Sequence, residues 1–86
     1  MRSTTNEFID RTIKTTDQTF YNDMGQIHSR RLSVESDDIL NIGDVDATAL
    51  NWMMLDIAEG LKIVTLRREF SAESGVIITY IARRRW

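Results

Sequence analysis

The stretch TIKTTDQTFYNDMGQIHSRR, residues 12–31, decides how the first half of this chain folds. Its opening, Thr12–Thr19, is rich in β-branched Thr, which loses rotamer freedom in a helix and so interrupts one. Asp17 then caps a helix running to about Arg31. Phe20, Met24, Ile27 and Arg31 recur at helical spacing, with Tyr21 and His28 alongside. A single long bent helix is the alternative reading. Upstream, Thr4 and Glu7 fit a capping box, and Phe8, Ile9 and Ile13 make a short apolar stripe.

Downstream, VESDDILNIG reads as a short helix. Ser36 is its N-cap, Asp37 and Asp38 lie in the first turn, where the helix dipole favours acids, and Gly43 ends it. The next helix runs from Asp46 to about Gly60, with Leu50, Met53/Met54, Ile57 and Leu61 as its inward stripe and Trp52 on the opposite face. The period then changes. KIVTLRREF and VIITYIARRRW flank SAESG, a β-hairpin signal with Gly75 in the turn. Placing Phe70 opposite Val76 gathers Val64, Leu66, Phe70, Val76, Ile78, Tyr80 and Ala82 on one face. Arg67, Glu69, Thr79 and Arg83 take the other.

Eighty-six residues make one small domain, 1–86, read as an N-terminal extension (1–16), a helical part (17–60) and a hairpin (61–86). There is no Cys, so neither disulfides nor thiolate metal sites enter. No apolar run suits a signal peptide or a membrane span, and a cytoplasmic protein that does not meet a membrane is expected. Charge is uneven. Residues 35–59 hold Glu35, Asp37, Asp38, Asp44, Asp46, Asp56 and Glu59 and no base. Residues 60–86 hold Lys62, Arg67, Arg68, Arg83, Arg84 and Arg85 against Glu69 and Glu73. Such asymmetry points to a charged partner.

The words DDILNIGDVDATALNWMMLDIAEGLKIVTLRREF, with Glu59, Gly60 and Leu61 at the helix-to-strand junction, resemble a winged helix-turn-helix domain over about residues 17–82. The resemblance implies an α+β fold of three or four helices followed by a C-terminal β-hairpin wing. It also implies a DNA-binding transcriptional regulator or accessory factor. Thr48, Asn51 and Trp52 would then face the bases of double-stranded DNA, and the wing would contribute Arg67, Arg68, Arg83, Arg84 and Arg85. A homodimer through residues 1–16 is compatible with Phe8, Ile9 and Ile13. The helix itself carries acids where such helices carry bases, and phosphate neutralisation supplies most DNA affinity.

The alternative is therefore an interaction module or inhibitor. Trp52, Leu55, Asp56 and Glu59 would bind a basic protein surface. No enzyme is expected. His28 is the lone His and lacks an orienting partner in sequence, and Asp37–Asp38 read as helix-start residues rather than a metal pair. No cofactor or metal motif is present. Trp86 reads as a loosely held end.

Overall fold

The computed structural model describes residues 1–85, so the reading of Trp86 lies outside the described residues. Three strands come first: β1 (Arg2–Asp10), β2 (Ile13–Tyr21) and β3 (Ile27–Ser36). A 3-10 turn, Ile39–Asn41, leads into the helix α1 (Ile42–Ala58), and β4 (Leu61–Ser71) and β5 (Gly75–Arg84) follow. The strands form one antiparallel sheet in the order β1-β2-β3-β5-β4, and α1 packs across β3, β5 and β4 on one side.

This architecture overturns the winged-helix expectation. Where two or three helices were expected before residue 43, three strands stand. The division into an extension, a helical part and a wing falls with it, because residues 1–16 form β1 and the start of β2. Residues 12–31 are two strands joined by a turn. Asn22 makes that turn: its Oδ1 accepts from the backbone N–H groups of Met24 and Gln26, both at 3.0 Å. Gly25 follows in the left-handed region, at φ +80°, a conformation that favours glycine. The apparent spacing of Phe20, Met24 and Ile27 spans this turn and is not helical.

Helical periodicity misled because the inward side of β2 is polar. Thr15, Asp17 and Thr19 point at the core while Lys14, Thr16 and Gln18 point away, so alternation is invisible to hydropathy. In β3 the alternation is legible once sought: Leu32 and Val34 are buried, and Ser33 and Glu35 lie on the other face. The short helix expected over VESDDILNIG is reduced to the 3-10 turn. Asp38 rather than Ser36 caps it, accepting from Leu40 N–H at 2.9 Å. Gly43 lies within the first turn of α1 rather than ending a helix.

The C-terminal hairpin has Phe70 opposite Val76, Arg67 opposite Thr79 and Leu66 opposite Tyr80, the register expected from sequence. An irregularity between Ile63 and Thr65 sets Val64 outside the regular pairing. Gly75 is obligatory: a Cβ there would lie 2.0 Å from the Ser36 carbonyl oxygen. The core is Leu32, Val34, Val45, Ala49, Leu61, Val76, Ile78, Tyr80 and Ala82. Helix α1 is therefore rotated from the expected setting. Val45, Ala49 and Asp56 are buried and Trp52 packs against the core, whereas Leu50, Met54 and Ile57 are exposed.

Candidate functional site

The rotation of α1 follows from a polar cluster inside the core. Arg30 on β3 donates through Nε to both oxygens of Asp56, at 2.8 and 3.1 Å. Through a terminal nitrogen it donates to Asp17 at 2.8 Å and to Thr19 at 2.9 Å. Tyr80 donates its hydroxyl to Asp56 at 2.6 Å, and the Trp52 ring lies under the guanidinium, 5.0 Å from its centroid. Buried charges survive only when paired and hydrogen-bonded, and among the described residues no buried side-chain polar atom lacks a partner. Burial, reinforced by the neighbouring Asp56 carboxylate, holds the Tyr80 hydroxyl protonated well above the usual phenol range. Burial pulls the Arg30 pKa down, but Asp56 and Asp17 outweigh it and leave it raised. With Asp56 fully buried and bonded to both Arg30 and Tyr80, this cluster is a fastener between α1 and three strands rather than a ligand site.

The residues expected to read DNA do not converge. On α1, Thr48 is half-buried, Asn51 is exposed, and Trp52 turns inward to meet Phe8 of β1. Arg67 and Arg83 project from the sheet face away from α1, by the register of β4 and β5, whereas Arg68 and Arg84 project on the helix side. Arg68 grips Asp46 through two bonds of 2.8 Å, which lowers the Asp46 pKa and raises its own. Arg84 donates to the carbonyl oxygens of Ile27 and Glu59. Arg85 is exposed at the strand end. The four residues of the protein-binding alternative are also split. Asp56 is unavailable and Trp52 is half-covered, leaving Leu55 and Glu59 exposed.

The residues that stand out were assigned to the core by sequence. Leu50, Met54 and Ile57 are 54%, 60% and 56% exposed, and Leu66 and Phe70 of β4 are 55% and 59% exposed. All five belong to α1 or to β4, the edge strand beside it. Asp46 reaches Arg68 on β4 while Trp52 reaches Phe8 on β1, so Leu50 and Ile57, which share the Asp46 flank of α1, face the β4 side, and Met54 lies next to them on the outer surface of the helix. On that side Leu66, Arg68 and Phe70 share the helix-facing surface of β4. Because β4 is the last strand in the order, its outer backbone groups have no neighbouring strand. The result is an apolar ledge along an open sheet edge. The signal in the sequence was the spread of apolar residues around α1: Leu50, Met53, Met54, Leu55 and Ile57 occupy more of its circumference than one buried stripe needs.

A second feature occupies the open sheet face. Lys62 lies opposite Arg83, and Arg31, one strand further, is diagonal to Arg83. Among the described residues none of the three has a carboxylate within ion-pair distance, whereas Arg67 holds Glu69 at 2.6 Å. Arg31 reaches this face because strand alternation sends its neighbour Arg30 to the opposite, buried one. Among the described residues no helix is long and apolar enough to cross a membrane, and no cluster of three metal-ligating side chains occurs.

Comparison of the chain with protein-family models, with curated proteins and with solved structures finds no match.

Proposed function

We propose that this protein is a non-catalytic interaction domain that docks a polypeptide on the α1–β4 ledge. The observation that carries the reading is that Leu50, Met54 and Ile57 on α1 and Leu66 and Phe70 on the helix side of β4 are each about half exposed or more, beside an unpaired strand edge. Single exposed apolar side chains are ordinary, but several gathered on one side of a small domain mark a binding surface. Covering the exposed halves of these five would release about 4–8 kcal/mol, at about 1.5–3 kcal/mol per fully buried side chain. That is of the order of the cost of association itself, so apolar cover alone gives weak binding. The N–H and C=O groups on the outer side of β4 supply the rest. A partner strand added to this edge gains ladder hydrogen bonds while its side chains meet the ledge.

The test is site-directed photo-crosslinking in cells. A photoreactive phenylalanine analogue replacing Met54 should give a discrete crosslinked species. The same analogue at Asp44, exposed on another side of α1, should give none. Absence of any species at Met54 refutes the reading.

A second reading rests on the Lys62–Arg83–Arg31 stripe, which suits a nucleic-acid backbone laid over the open face of the sheet. It replaces the recognition-helix mechanism with contacts from strands. It expects affinity for DNA or RNA that falls steeply with salt and is lost in Arg31→Glu with Arg83→Glu, measured by fluorescence anisotropy. No binding at low salt removes it.

A further inference from the structure

We infer that the polypeptide docked on the α1–β4 ledge is a second copy of this chain, paired β4 to β4 in antiparallel fashion about Arg68; this inference rests on the interaction reading above. Strand β4 is regular from Thr65 to Ser71, beyond the irregularity at Val64. An antiparallel pair of identical strands related by a two-fold axis at residue 68 sets each residue opposite the one whose number completes a sum of 136. Thr65 then faces the copy's Ser71, Leu66 faces Phe70, and Arg67 faces Glu69, each twice. Cross-strand partners share a sheet face, and these pairs do so: Leu66 and Phe70 on the helix side, Arg67 and Glu69 on the open side.

The segment TLRREFS is thus complementary to itself in polarity and charge. The residue on the axis is the one exception, since Arg68 meets its own copy. Each Arg68 is already neutralised by a two-bond grip from Asp46 and lies 5.2 Å from the Phe70 ring centroid, so two ion pairs meet rather than two bare charges. Centring the axis on Arg67 would oppose two arginines and leave Leu66 against Arg68. Centring it on Leu66 would run the pairing into the irregularity and leave Arg67 opposite Thr65. Only the Arg68 register uses the whole regular segment and opposes unlike charges.

The same operation accounts for the helix. A two-fold axis normal to the sheet keeps both copies of α1 on one side, and their ledges of Leu50, Met54 and Ile57 flank the seam from both sides. A single contact covers the exposed strand edge, the apolar face of β4 and the apolar flank of α1, and yields a continuous ten-stranded sheet. The other edge, β1, carries Ser3, Thr4, Thr5 and Asn6 through its first half; its exposed apolar residues, Phe8 and Ile9, lie towards the strand end, and Phe8 already meets Trp52.

The test uses sedimentation equilibrium of the full chain and of two charge variants. Wild type should form a dimer. Arg67→Glu places two acids at these positions, and Glu69→Arg places two bases. Each variant alone should dimerise roughly tenfold or more weakly than wild type, because both cross-strand ion pairs become repulsions. An equimolar mixture of the two should recover wild-type affinity as a heterodimer. Neither variant retains the internal Arg67–Glu69 pair, so recovery on mixing can arise only between chains. Circular dichroism of each variant confirms that it is folded. Two results overturn the inference: a wild type that remains monomeric at 100-micromolar concentration, on the order of the weakest specific contacts, or a dimer indifferent to both charge changes. The latter places the contact elsewhere, as on the β1 edge. A monomeric wild type that still crosslinks to another protein through position 54 would leave the interaction reading standing and remove only the second copy.

Discussion

Asp56→Ala is the sharpest probe of how α1 is held. The side chain is fully buried and receives three hydrogen bonds, two from Arg30 and one from Tyr80. Removing it leaves Arg30 with Asp17 as its only acidic partner and strands the Tyr80 hydroxyl in the core. Breaking one side of a buried pair costs about 3–5 kcal/mol, because the remaining charge stays desolvated. A domain of this length has a total stability of about 4–13 kcal/mol, at about 0.05–0.15 kcal/mol per residue. The substitution should therefore consume from about a quarter of the stability to all of it. Tyr80→Phe, which removes one hydroxyl and leaves the ion pairs, should cost only about 1–2 kcal/mol. Replacing the cluster together (Asp17→Val, Thr19→Val, Arg30→Met, Asp56→Leu, Tyr80→Phe) should recover most of the loss, since an apolar set that leaves no hydroxyl stranded carries no desolvation cost. Urea unfolding followed by far-ultraviolet circular dichroism measures all three. A loss below about 1 kcal/mol for Asp56→Ala would refute the reasoning, because a buried charge partner cannot be that cheap, and would return Asp56 to the surface.

Alkaline pH provides a second probe. The Tyr80 hydroxyl titrates above its ordinary value of 10.0 in the folded protein, so the stability it represents is complete below about pH 10 and declines as pH rises further. Urea unfolding at pH 8 and pH 11 should show a loss that is smaller in Tyr80→Phe; equal losses would remove the assignment. At the β1–β2 turn, Arg11 adopts φ +60°, a left-handed conformation that costs an L-residue about 1–2 kcal/mol. Arg11→Gly should raise stability by up to about 1 kcal/mol after the entropy glycine adds to the unfolded chain, and calorimetry should show a higher Tm. A lower Tm would mean that the Arg11 side chain makes an unrecognised contribution.

Much of the second half of the chain was legible in sequence and much of the first half was not. The C-terminal hairpin could be read in register except at Val64, because KIVTLRREF and VIITYIARRRW are rich in β-branched and aromatic residues and Gly75 marks the turn. The long helix and its end at Gly60 were also evident, although it begins at Ile42 rather than Asp46. What sequence periodicity could not supply was the rotation of that helix. With Leu50, Met53, Met54, Leu55 and Ile57 spread around it, hydropathy selects no face, and the larger side chains look like the core. Tertiary structure selects the face bearing Val45, Ala49 and Asp56, because only there can a carboxylate meet Arg30. The first three strands were hidden for the related reason that they bury Thr15, Asp17, Thr19 and Arg30. A buried polar residue leaves no hydrophobic periodicity, and its place inside depends on partners up to 26 residues away, as Asp56 is from Arg30. Local sequence thus determined where the chain turns and where its C-terminal strands pair. Which polar groups lie inside, and therefore which apolar ones remain outside to bind, was decided only when the buried charges found one another.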